Sequence, residues 1–192
     1  PHAPPPHPES MTLLLLVAFS LIVLVLLIVI ALQPGEFSIT RSARIAAPPL
    51  VVFGHVNDFH QWEEWSPWAK LDPEAKNRHE GPASGVGAVF SWSGNNKVGE
   101  GRMTLIESRP GELIRIQLEF LRPMKASNLT EFSFKADAQA GQTVVVWTMS
   151  GRNGFLGKAM GLVMNCDKMV GGQFEQGLAN LNRVVSGGEG RG

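Results

Sequence analysis

The chain has 192 residues and balances 17 Lys and Arg against 17 Asp and Glu, so its formal net charge is zero and its charge balance does not call for nucleic acid as an obligate partner. The length suits one domain with additional segments. A single cysteine, Cys166, excludes an intramolecular disulfide and mildly supports a reducing compartment. It has no histidine within ten residues to activate it and is read as structural.

In chain order, the first ten residues, "PHAPPPHPES", are proline-rich and expected to be disordered, outside the working protein. Leu13 to Leu32 then runs twenty residues without a charge. As a helix it would span roughly 30 Å, the thickness of a bilayer core. A signal peptide would carry a shorter apolar core, a preceding positive segment and small residues at the cut. Here no Lys or Arg precedes the core and "VIALQPGE" is a poor cleavage site. One uncleaved transmembrane helix over 11–33 is therefore expected, ended by Pro34 and Gly35. Arg41 and Arg44 follow it, so the positive-inside rule puts the remaining domain in the cytoplasm.

Residues 36–186 read as one domain, followed by a flexible tail over 187–192 that no apolar residue anchors. "EFSITRSARI" is a first strand. "PPLVVFGHVND" opens on prolines suited to a helix start and puts Val52, Phe53 and Val56 on one face. Several later stretches alternate with period two. "VGAVFSWSG" groups Val86, Phe90 and Trp92; "ELIRIQLEFL" groups Ile114, Ile116, Leu118 and Phe120. "TEFSFKAD" groups Phe132 and Phe134, and "QTVVVWTMS" groups Val145, Trp147 and Met149. Such alternation predicts antiparallel strands with one wet face, and "SGNN", "SRPG" and "DAQAGQ" supply the turns. "NCDKMVGGQFEQGLANLNRVV" spaces Val170, Phe174, Leu178, Leu181 and Val185 as a long final helix, capped by Asn165 or Asp167. Gly171, Gly172 and Gly177 weaken that helix, or let it approach a sheet closely. The fold class is α+β.

The stretch "APPLVVFGHVNDFHQWEEWSPW", the strands after it (including "GEGRMTLIESRPGELI") and the long last helix resemble the START/Bet v 1-like superfamily. The closest resemblance is to its polyketide-cyclase/dehydrase and lipid-transport branch, the SRPBCC proteins. It covers nearly everything after residue 36 and is most specific over Pro48–Trp68. It implies a helix-grip fold, a curved antiparallel sheet wrapped on the C-terminal helix around an apolar cavity. It does not fix the function, because the superfamily includes carriers, cyclases and cochaperones.

Few residues carry a chemical signature. Trp62, Trp65 and Trp68 are spaced for one helical side, but their nearest charges are Asp58, Glu63 and Glu64, the wrong sign for a nucleic-acid stacking platform. They are expected to plug one end of the cavity. His55 and His60 flank Asp58 at spacings unlike a helical metal pair, and no further ligands complete a metal site. "GRNGFLGKAMG" has Arg152 where a P-loop needs glycine and Ala159 in place of the metal-binding hydroxyl. Glu100 and His55 are the weak candidates for a catalytic acid–base group, although Met103 and Leu105 on the opposite face suggest that Glu100 points outward. No cofactor is expected. The methionines Met149, Met160, Met164 and Met169 suit a deformable apolar pocket. The expected ligand-binding residues are Trp65, Phe90, Trp92, Leu118, Phe132, Trp147 and Met149, with Met164 and Phe174 closing the cavity. The reading is a membrane-anchored, non-catalytic module for an apolar small molecule, lipid or isoprenoid-like. A cyclase/dehydratase-type enzyme and an interaction domain with a vestigial cavity are the alternatives.

Overall fold

A computed structural model describes residues 8–138 and 141–188. The elements are α1 (Pro8–Leu32), β1 (Glu36–Ile45), α2 (Pro49–Asn57), a 3₁₀ turn at Phe59–Gln61, α3 (Trp62–Trp65), β2 (Lys76–Glu80) and β3 (Val89–Ser93). They continue with β4 (Glu100–Arg109), β5 (Leu113–Arg122), β6 (Ala126–Ala136), β7 (Thr143–Arg152), α4 (Phe155–Val163) and α5 (Cys166–Gly188). Residues 1–7 and 189–192 of the expected disordered ends lie outside the described residues, whereas Pro8–Ser10 open α1 and Gly187–Gly188 close α5.

Two compact units result, one built from α1 and Asn153–Met164, the other from Glu36–Arg152 and α5. In the first, Met11–Leu32 is long and apolar enough to cross a membrane. Leu, Ile and Val cover every side of this helix. Most of them stand exposed, where the core helix of a soluble protein would hide them. Helix α4 was not anticipated. Gly157 and Gly161 interrupt its apolar pattern and lower its helix propensity.

The second unit is a seven-stranded sheet in the order β1-β7-β6-β5-β4-β3-β2, antiparallel throughout. Strands β2 to β7 form a meander, and β1 closes onto the last strand. Bulges between Glu100 and Gly101 and between Leu105 and Glu107 bend β4 and help to curve the sheet. Strand β3 starts at Val89, and Val86, expected on its face, is exposed in the preceding turn, where Gly85 and Gly87 take positive φ. Strand β2, "KNRHE", has no apolar alternation to announce it. It is an edge strand, where polar residues on both faces are tolerated.

Helix α5 packs on β1 and α3. Phe174, Leu178, Leu181 and Val185 are buried, as their spacing predicts, and Asn165 Oδ1 accepts from Lys168 N at 2.9 Å as the cap. The glycines of α5 separate by role. A Cβ on Gly177 would lie 2.9 Å from Trp147 Cζ3 and 3.2 Å from Pro67 Cδ, whereas one on Gly172 would meet nothing within 4 Å. Helix propensity favours alanine over glycine by about 1 kcal/mol, but forcing a methyl into a filled core costs about 1–3 kcal/mol. Gly172→Ala should therefore raise the denaturant midpoint and Gly177→Ala should lower it. Equal shifts in the two variants would contradict the close approach of α5 to the sheet.

Candidate functional site

The register divides the inner face of the sheet into rows. Ile114, Phe132, Trp147 and Arg41 lie opposite one another in one row. Leu105, Ile116, Thr130, Met149 and Ile39 form the next. Phe90, Met103, Leu118, Asn128, Gly151 and Phe37 form a third, and Trp92, Gly101, Phe120 and Ala126 a fourth.

The first row is closed. Trp147 stacks on Phe174 of α5 at 4.1 Å between ring centroids and 7° between planes. Trp62 and Trp65 enter from α3, with Trp62–Trp65 centroids 4.7 Å apart and Trp65 fully buried against Phe132 and Trp147. Backbone carbonyls hold their indole N–H groups: Trp62 Nε1 donates to Val56 at 2.9 Å and Trp65 Nε1 to His55 at 3.3 Å. Asn180 of α5 donates to the Trp65 carbonyl at 3.0 Å. "HVNDFHQWEEWSPW" is thus the joint through which α2, the final helix and the sheet meet. Trp68 is half-buried and reaches Trp147 and Phe174 edge-on.

The second row is buried, and the third and fourth stay partly open. Phe90, Trp92, Leu118 and Phe120 are half-buried, with Phe90–Trp92 and Trp92–Phe120 centroids each 6.0 Å apart. Gly101 makes room for this shelf, since a Cβ there would fall 2.4 Å from Trp92 Cζ2. Met103 of the third row and Met149 of the second are buried on the same face. Asn128 is 6% exposed in the same row as Leu118, and its amide donates to Met149 Sδ at 3.9 Å, a long and weak contact. The expected pocket residues therefore separate into a packed group (Trp65, Phe132, Trp147, Phe174) and a half-open group (Phe90, Trp92, Leu118), with Met149 between. Met164 belongs to the other unit. Phe37, Phe120 and Asn128 join the shelf. Phe120 was visible in the alternation of β5, whereas Asn128 carries no apolar signal.

Two hollows flank these rows. One of about 690 Å³ lies at the Glu36–Arg152 end of the sheet, with Phe37, Ser38, Gln117, Asn128, Leu129 and Ser150 among its lining. The other, about 260 Å³, is lined by Phe59, His60, His79 and Glu80. Neither has a lining residue from α5; where α5 meets the first row, the rings of Phe174 and Trp147 stack on each other.

Among the polar candidates, Glu100 is on the outer face and pairs with Arg122 at 2.7 Å. His55 sits half-buried in α2 with its Nδ1 buried and unpartnered. His60 Nδ1 lies 2.9 Å from Asp58 Oδ1, and its ring stacks on His79 at 4.1 Å. Burial alone would raise the Asp58 carboxyl, but the backbone N–H and ring of His60, with Gln61, outweigh it and hold the group below the usual carboxylate range. Among the described residues no group of three or more His, Cys, Asp or Glu could hold a metal ion.

Arg41 reaches from β1 to α5, 3.0 Å from Asp167 Oδ2 and 2.7 Å from Glu175 Oε1. The Arg41 hydrogen bond is the largest influence on Asp167 and lowers its pKa below the ordinary value of 3.8. A carboxylate with a depressed folded pKa contributes stability that is complete above its unfolded value and is lost as pH falls through the folded one. Thermal melts should therefore decline below about pH 4, and Asp167→Asn should flatten that part of the profile. An unchanged profile would show that the pair adds nothing to folding.

Comparison with known proteins places the fold. The Aha1 dimer from Colwellia psychrerythraea aligns with TM-score 0.55 at 16% identity, over 78% of this chain and 96% of that one. CalU16 from Micromonospora echinospora aligns with TM-score 0.53 at 15% identity, over 77% and 73%. The di-domain ARO/CYC StfQ from the steffimycin biosynthetic pathway aligns with TM-score 0.60 at 10% identity, over 81% of this chain and 52% of that one. No curated protein matches. Residues 36–186 match the family described as polyketide cyclase / dehydrase and lipid transport. With its curved sheet gripping a long final helix, the chain belongs to that family, whose architecture is that of a ligand-binding helix-grip domain.

Proposed function

We propose that residues 36–186 bind an apolar small molecule, lipid or isoprenoid-like, and that α1 holds the domain at a membrane on its cytoplasmic side. The observation that carries this reading is the half-open shelf of Phe90, Trp92, Leu118 and Phe120, with the weakly bonded amide of Asn128 beside it. Apolar surface left open inside a fold of this family gains by taking a guest out of water, and a spare amide can orient the guest's polar end. Burying ten methylenes yields roughly 8 kcal/mol of gross transfer energy, much of it consumed by ordering and association, so micromolar affinity is expected. The full chain in lipid nanodiscs should bind fluorescent fatty acids, sterols or isoprenoids saturably. Saturable binding of none of them would remove the reading. The orientation is checked separately, by protease accessibility of the domain in cytoplasm-side-out vesicles.

One observation favours a second reading. The stacked rings of Trp147 and Phe174 leave no opening at the first row, as an interaction domain with a vestigial cavity would have it. If no apolar guest binds, a protein partner in a membrane complex becomes the better account.

A further inference from the structure

Helix α4 has an apolar surface that its own unit does not cover. None of its residues is buried, and Phe155, Leu156, Leu162 and Val163 are exposed, Val163 to 85%. A nine-residue helix containing two glycines is marginal alone in water, and it gains stability only from what its apolar side meets. At about 14 Å it is far too short to cross a bilayer.

Its attachment to α1 is specific. Lys158 Nζ donates to the Ala31 carbonyl at 3.1 Å, satisfying one of the four carbonyls that the end of α1 leaves without a helical partner. Just before α4, Asn153 N donates to the Gly35 carbonyl at 2.7 Å, just after α1 ends. These two bonds hold the start of α4 level with the last turn of α1. The end of a membrane-spanning helix lies at the lipid–water interface, and a lysine there can keep its charge in water while its stem lies along apolar surface.

We infer that α4 is a second membrane element, a short helix lying in the lipid interface beside the end of α1 with Phe155, Leu156, Leu162 and Val163 in the acyl boundary. The occupant of its open face is the bilayer itself, by continuity with the apolar surface of α1. This rests on the membrane reading of α1 proposed above. The chain then meets the membrane twice, before β1 and between β7 and α5.

The test uses the full chain in phosphatidylcholine–phosphatidylglycerol nanodiscs. In a Cys166→Ser background, single nitroxide labels are placed through Leu24→Cys in α1, Phe155→Cys, Leu156→Cys or Val163→Cys in α4, and Lys135→Cys on the exposed part of β6. Power saturation compares access of oxygen, which concentrates in lipid, with that of a water-soluble nickel chelate. The expected result is lipid exposure at Leu24, and an oxygen-to-nickel ratio at the α4 positions several-fold above that at Lys135. Lipid exposure at Leu24 with α4 positions behaving like Lys135 would overturn the inference and leave the anchor standing. Water exposure at Leu24 would sink the anchor and the inference with it.

Discussion

Replacing Trp65 with alanine is expected to destabilise the domain by about 3–5 kcal/mol, the usual cost of emptying a buried aromatic site. Trp65 has no exposed surface and touches three other rings, those of Trp62, Phe132 and Trp147. The truncation removes their contacts and leaves a void that cannot collapse, because Trp147 is already held between Phe132 and Phe174. It also removes the indole donor that satisfies the His55 carbonyl. Domains of this size hold about 5–15 kcal/mol in total, so the loss is a large share of the whole. Urea denaturation measures it directly. An unchanged midpoint with lost ligand binding would mean that this stretch serves the ligand rather than the fold.

Leu118→Glu is expected to do the reverse, lowering affinity for an apolar guest about a hundredfold or more while the denaturant midpoint moves little. Leu118 is half-buried on the open shelf, so a glutamate there can turn its carboxylate to water in the free protein. A bound guest would cover it, and burying an unpaired charge costs several kcal/mol, where each 1.4 kcal/mol is about a factor of ten in affinity. Titration of the variant in nanodiscs checks this. Wild-type affinity would move the binding surface away from the shelf.

The contrast between these two positions shows how far the residue pattern reaches. Period-two alternation was enough to put Leu118, Phe132 and Trp147 on one sheet face, because a strand presents successive side chains to opposite sides. The burial of Met103 and Leu105 likewise set Glu100 facing outward, where Arg122 holds it. Which rows of that face α5 covers is a tertiary fact. It depends on where Gly177 admits Trp147 and on the reach of Arg41 to Asp167, pairs far apart in the chain. Hence Phe132 and Leu118 look alike in sequence, yet one is sealed in the core and the other half-open. Asn128 is not among the expected pocket residues because a polar residue in an apolar row breaks the pattern that finds the row. Helix α4 escaped because its glycines hide its period, and β2 because an edge strand has no need of apolar alternation.

The account stands or falls on whether an apolar guest occupies the shelf beyond α5. The direct measurement is photocrosslinking of a diazirine-bearing fatty acid to the full chain in nanodiscs, with labelled peptides mapped by mass spectrometry and unlabelled fatty acid as competitor. The account predicts labelling that the competitor abolishes, at Phe90 and Trp92 on β3 and at Leu118 and Phe120 on β5, and that disappears in Leu118→Glu. Labelling confined to α1 and insensitive to competitor would mean the probe met only the bilayer, and would contradict a binding function for this face.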